Sequence, residues 1–62
     1  MIEILNQHIE ASTNIQYQLA FLANGSYRIT QYDRDANKYI EISQAFGYAT
    51  AKAHFDKLVQ QA

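Results

Sequence analysis

Two histidines and one acidic stretch are the residues of this chain whose types could carry chemistry. His8 and His54 are its only imidazoles. A histidine works as an acid–base group or a metal ligand when a carboxylate or a second ligand shares its face. His54 and Asp56 stand two apart, and on a helix residues two apart do not face each other. The stretch "DRDAN" at 33–37 puts Asp33, Asp35 and Asn37 at the first, third and fifth positions of a calcium loop. Such a loop needs glycine at the sixth position and glutamate at the twelfth. Lys38 and Gln44 stand there instead. The stretch therefore reads as a polar hairpin loop, and neither a metal nor a cofactor is expected. The sequence contains no phosphate loop, nucleophile elbow or acid–base carboxylate pair. An enzyme of this size would need a pocket of roughly 300 Å³ or more cut from a very small core. The expectation is a protein that is not an enzyme.

Sixty-two residues make one domain, 1–62. A chain this short buries only about 60% of the surface it exposes when unfolded, so its stability is marginal. With no cysteine, disulfides and thiolate metal sites are excluded, which leaves tight packing or self-association. A cysteine-free chain also suits a reducing cytoplasm, the expected location. "MIEILNQHIE" lacks the basic start and unbroken apolar run of a signal peptide, and nothing approaches the length of a membrane span. Five Lys/Arg against six Asp/Glu give a net charge of −1, so neither a broad nucleic-acid footprint nor a DNA mimic is expected. Five tyrosines, with no tryptophan and no proline, are the conspicuous excess.

The elements follow from periodicity. In residues 2–11, Ile2, Leu5 and Ile9 fall at helical spacing, against a competing alternation of Ile2 and Ile4; the reading taken is a short helix. Residues 15–23, "IQYQLAFLA", alternate cleanly, with Ile15, Tyr17, Leu19 and Phe21 on one side. "NG" at 24–25 marks a hairpin. A two-residue loop would send the apolar sets of the flanking strands to opposite faces. A three-residue loop, Ala23-Asn24-Gly25, pairs Phe21 with Tyr27 and Leu19 with Ile29, with Gly25 at positive φ. A second loop, "RDAN", pairs Asp33 with Lys38, Tyr32 with Tyr39, Thr30 with Glu41 and Ile29 with Ile42. "YATAKAHFDKLVQQA" carries a helical stripe of Tyr48, Ala51, Phe55, Leu58, Val59 and Ala62. The predicted fold class is α+β, in the order α-β-β-β-α. It is a three-stranded antiparallel meander with a short N-terminal helix and a longer C-terminal helix packed on one face. The predicted core is Leu5, Ile9, Ile15, Tyr17, Leu19, Phe21, Tyr27, Ile29, Ile40, Ile42, Phe55, Leu58 and Val59.

The same register leaves Gln16, Gln18, Ala20, Leu22, Arg28, Thr30, Tyr32, Tyr39, Glu41 and Ser43 on the uncovered face. Aromatic cross-strand pairs stabilise strands in their own right, by about 0.2–1 kcal/mol. Tyrosine also combines a large apolar ring with a polar tip, which favours it at interfaces. The expected partner-binding residues are Tyr32, Tyr39, Arg28, Glu41 and Leu22. The expected partner is a protein or a second copy of this chain. The first predicted strand, 15–23, forms an uncharged edge, open to pairing with another strand.

The predicted α-β-β-β-α order resembles the double-stranded-RNA-binding domain, over the whole chain in layout. That family opens its last helix with a lysine cluster on phosphates. Here the region reads "GYATAKAHF", with Lys52 as its one basic residue. The resemblance implies an RNA-binding module, kept as the second reading. In size and character the chain resembles the small inhibitors encoded by phages and mobile elements, anti-CRISPR proteins in particular. That resemblance implies a non-enzymatic domain that binds a larger defence complex and blocks it. It is the first reading.

Overall fold

The computed structural model describes residues 2–61. Its elements are β1 (Glu3–Glu10), β2 (Ile15–Phe21), β3 (Tyr27–Asp33), β4 (Lys38–Ala45) and α1 (Tyr48–Gln60). The strands form one antiparallel sheet in the order β1-β2-β3-β4, a pure meander, and α1 lies across one face.

The clean alternation of β2 and β3 survives intact. Leu19 pairs with Ile29 and Phe21 with Tyr27. The turn between them is the expected three-residue loop. The Leu22 N–H donates to the Ser26 carbonyl at 2.9 Å, and the Gly25 N–H to the Leu22 carbonyl at 3.0 Å. Gly25 has φ +87°, where an L side chain is strained. Leu19 and Ile29 are 0% and 1% exposed and form the core with Tyr17, Ala51 and Phe55. Ile15, Tyr27, Ala45, Leu58 and Val59 close around them.

The N-terminal helix is not formed. Residues 3–10 are an edge strand, so the order is β-β-β-β-α and the predicted α-β-β-β-α layout is corrected. Two physical reasons decide it. An isolated helix of about ten residues is marginal in water, while the uncharged β2 edge offers a row of unpaired backbone groups. β1 satisfies that row. Its register shifts between Ile4 and Asn6, so Leu5 is the extra residue of a bulge. The bulge puts Ile4 and Ile9, five apart, on the same side of the sheet, opposite Ala20 and Gln16.

β4 departs from expectation in the same way. Asp33 pairs with Lys38 and Tyr32 with Tyr39, as predicted. A register shift at Ile40 then carries the rest of the strand along by one. Thr30 meets Ile42 rather than Glu41, and Ile29 meets Ser43 rather than Ile42. A one-residue slip exchanges the faces of every later side chain. Glu41 and Ser43 therefore turn to the helix side, and Ile42 to the open side. Leu5, Ile9, Ile40 and Ile42 are consequently exposed rather than core. Phe21 also stays well exposed, though its ring centroid lies 5.1 Å from that of Tyr27. Ala62, the last residue of the predicted helical stripe, lies outside the described residues.

Candidate protein-binding face

The pairing of the four strands fixes what the face away from α1 presents. Three rows of four residues run across it. Ile4, Ala20, Arg28 and Gln44 make the first row, Gln7, Gln18, Thr30 and Ile42 the second, and Ile9, Gln16, Tyr32 and Tyr39 the third. Arg28 is the only charged side chain among them. The two outer strands carry the large exposed apolar groups: Ile4 (48% exposed) and Ile9 (39%) on β1, Tyr39 (56%) and Ile42 (59%) on β4. The middle strands bury Ala20 and Thr30 beneath their neighbours. Between the apolar rails lies a glutamine cluster. Gln18 Nε2 donates to Gln7 Oε1 at 2.9 Å, and Gln16 Nε2 reaches the same oxygen at 3.4 Å. One carbonyl oxygen, Gln7 Oε1, thus gathers the three amides.

Tyr32 and Tyr39 meet edge to face, with ring centroids 4.8 Å apart at 65°. The Tyr32 hydroxyl donates to Asn37 Oδ1, which ties the pair to the adjoining turn. Asn37 ends that turn at φ 58°, the left-handed region that asparagine tolerates better than most residues. One ring is thus anchored while the other stays half exposed, a rigid apolar edge facing solvent.

Of the expected binding residues, Arg28, Tyr32 and Tyr39 stand together on this face. Leu22 sits in the β2–β3 turn beyond the first row. Glu41 does not belong with them. The β4 bulge turns it to the helix side, where His54 Nε2–H donates to Glu41 Oε2 at 3.0 Å and Ser43 Oγ at 2.9 Å. The hydrogen bond from His54, and then that from Ser43, hold the Glu41 carboxyl below its ordinary pKa. This pair joins α1 to β4, so both residues work in docking the helix. Ile4, Ile9 and Ile42 belong to the open face and were missed in the sequence, because both bulges hide the alternation that would have grouped them. The other acid–base candidates stand apart: Lys52 holds Asp56 at 2.6 Å, and His8 lies 3.7 Å from Glu10. Hydrogen bonds from the Ser12 backbone and side chain, ahead of the His8 contact, lower the Glu10 pKa.

Asp33 of the calcium-like stretch caps its own turn, accepting from the N–H groups of Asp35 and Ala36 at 3.0 and 3.1 Å. Asp35 accepts from Asn14 Nδ2 at 2.8 Å, which links the two turns at that end of the sheet. Among the described residues no group of three His, Asp or Glu converges as metal ligands would. No helix among them is long and apolar enough to cross a membrane. The chain matches no protein-family model, no curated protein and no solved structure.

Proposed function

We propose that the chain is a small protein-binding domain that acts by docking its open sheet face on a larger protein assembly. One observation carries this reading: a surface of three rows with a single charge, edged by exposed isoleucines and a tyrosine. A half-buried antiparallel sheet ordinarily turns polar, charged residues to water. Large exposed apolar groups gathered on one nearly uncharged face favour an interaction surface. Tyr39 supplies the anchor type most enriched at binding hot spots, and Arg28 the orienting charge. Inhibition by steric occupation of a defence-type complex is the activity this geometry suits, because blocking needs a shaped surface and no reacting group. A cysteine-free chain fits a reducing compartment such as the cytoplasm.

RNA binding has less support. The α-β-β-β-α layout that carried that resemblance is absent, and Arg28 stands alone among neutral side chains. Lys52, the one basic residue at the helix start, is occupied by Asp56.

The test is affinity capture from the source cell with the wild-type chain and a Tyr32→Ala/Tyr39→Ala variant. The wild type is expected to retain a protein through a high-salt wash, and the folded variant to lose it. Capture that collapses with salt in the manner of phosphate contacts, or that ignores both tyrosines, would defeat the reading.

A further inference from the structure

We propose that in the free protein the open face is covered by a second copy of this chain. The two copies stack face to face about a two-fold axis that crosses the strands at the row of Thr30. The inference rests on the reading of that face as an interface, and names its occupant when no other partner is present.

Three observations favour a second copy. The first is symmetry of the apolar pattern. The exposed apolar groups lie on both outer strands, and between them the middle strands carry glutamine, threonine and tyrosine with one charge, Arg28. Rotation about the axis lays β1 on β1 and β4 on β4, exchanging the first and third rows. Ile4 then meets Ile9 of the second copy, and Ile42 meets its own counterpart. Rail covers rail and trough covers trough, as an isologous contact requires.

Charge selects the axis. An axis along the strands would set the two Arg28 side chains at the same end of the stack, in adjoining columns. The axis across the strands separates them. It brings each over Tyr32 of the second copy, with Tyr39 beside it, where a guanidinium meets an aromatic face.

The third observation is area, together with the form of the edges. Four strands about 4.8 Å apart and three rows about 6.8 Å apart span roughly 19 by 20 Å. That is about 400 Å² in plan, and side-chain relief raises the accessible area above it. Two such faces make roughly 800 Å² in plan, short of the roughly 1,200 Å² at which stable specific pairs begin, so only a weak dimer is expected. Pairing edge to edge is blunted on both sides, because β1 and β4 each carry a bulge, at Leu5 and Ile40.

Sedimentation of the purified chain between about 10 µM and about 1 mM tests the pairing. The average mass is expected to rise from one chain toward two. Ile42→Glu sets carboxylate against carboxylate on the axis and is expected to weaken the dimer at least about tenfold. Lys57→Glu, on the exposed side of the helix, leaves it unchanged. If circular dichroism shows Ile42→Glu unfolded, Tyr39→Lys repeats the test, placing a second cation beside Arg28 of the other copy. Isotope-filtered NOEs between copies are expected from Ile4 to Ile9; contacts from Ile9 to Tyr39 would overturn the axis. Monomer throughout would overturn the self-pairing. If that monomer still captures a cellular protein through Tyr32 and Tyr39, the binding reading stands and only this inference fails. A dimer indifferent to Ile42→Glu and Tyr39→Lys, with capture indifferent to the tyrosines, would end both.

Discussion

The two faces of this sheet divide apolar and charged residues in an unusual way. The face under α1 has its apolar centre, Leu19 and Ile29, but it also carries Glu3, Glu10, Asp33, Lys38 and Glu41 on its outer strands and at a strand end. The face with nothing over it carries Arg28 alone. A single helix covers a stripe, and the margin left beside it is wet, so charges are tolerated there. The open face has no such excuse for lacking charge. Its composition suits a surface that becomes covered, and two of its glutamines donate to a third across the trough.

The sharpest way to break this comparison is to truncate one residue on each side. Leu19→Ala, on the helix side, is expected to cost about 2–5 kcal/mol. A domain of this size has a total stability of only roughly 3–9 kcal/mol, so that variant loses a large share of it. Ile42→Ala, on the open side, is expected to stay within about 0.5 kcal/mol of the wild type in dilute solution. Equal losses in urea titrations at micromolar concentration would mean that the open face is structural after all.

Next in size is Gly25→Val. The added Cβ meets no atom within 4 Å, so the whole effect comes from the backbone at φ +87°. A loss of more than about 1 kcal/mol is expected, measured by chemical denaturation. This turn sets the relation of β2 to β3, and therefore which residues reach which face. A smaller loss would mean that the register is held by packing alone.

The smallest effect concerns the pin between α1 and the covered face. Glu41 has a folded pKa below its ordinary value of 4.5, chiefly through His54. Its contribution is fully present above the unfolded pKa and is lost as pH falls from about 4.5 through the lower folded value. Both side chains are some 40% exposed, 39% and 41%, so screening keeps the pair small, below about 1 kcal/mol. Glu41→Gln is expected to flatten that part of the stability–pH curve and to leave self-association untouched. An effect on association instead would return Glu41 to the open face.

How much of this was legible in the sequence varies along the chain for a physical reason. β2 and β3 alternate without interruption, so their register, the three-residue turn and the Tyr32–Tyr39 pair could be read directly. β1 and β4 each contain a bulge, and one extra residue converts a period of two into something else. Ile4 and Ile9, five apart, and Tyr39 and Ile42, three apart, share a face only because Leu5 and Ile40 intervene. In β1 the resulting pattern imitated a helix. In β4 it moved Glu41 across the sheet. The candidate face was therefore found through its tyrosines, while Ile9 and Ile42 were assigned to the core and Ile4 to the flank of a helix. The fact that β2 needed a partner along its bare edge was readable; that the partner came from this chain's own first ten residues was not.

The meander has a kinetic consequence. Every strand pairs with the next one along the chain, and no connection crosses the sheet. Loop closure is therefore short at each step, which favours folding on the millisecond scale or faster. The helix, last in sequence, has nothing to pack on until β2 and β3 have joined. A sheet joined before α1 docks presents an apolar centre on one side and uncovered isoleucines on the other. Docking of α1 ends that exposure within the chain for one side only; the other side remains sticky for the life of the molecule, or until something else arrives.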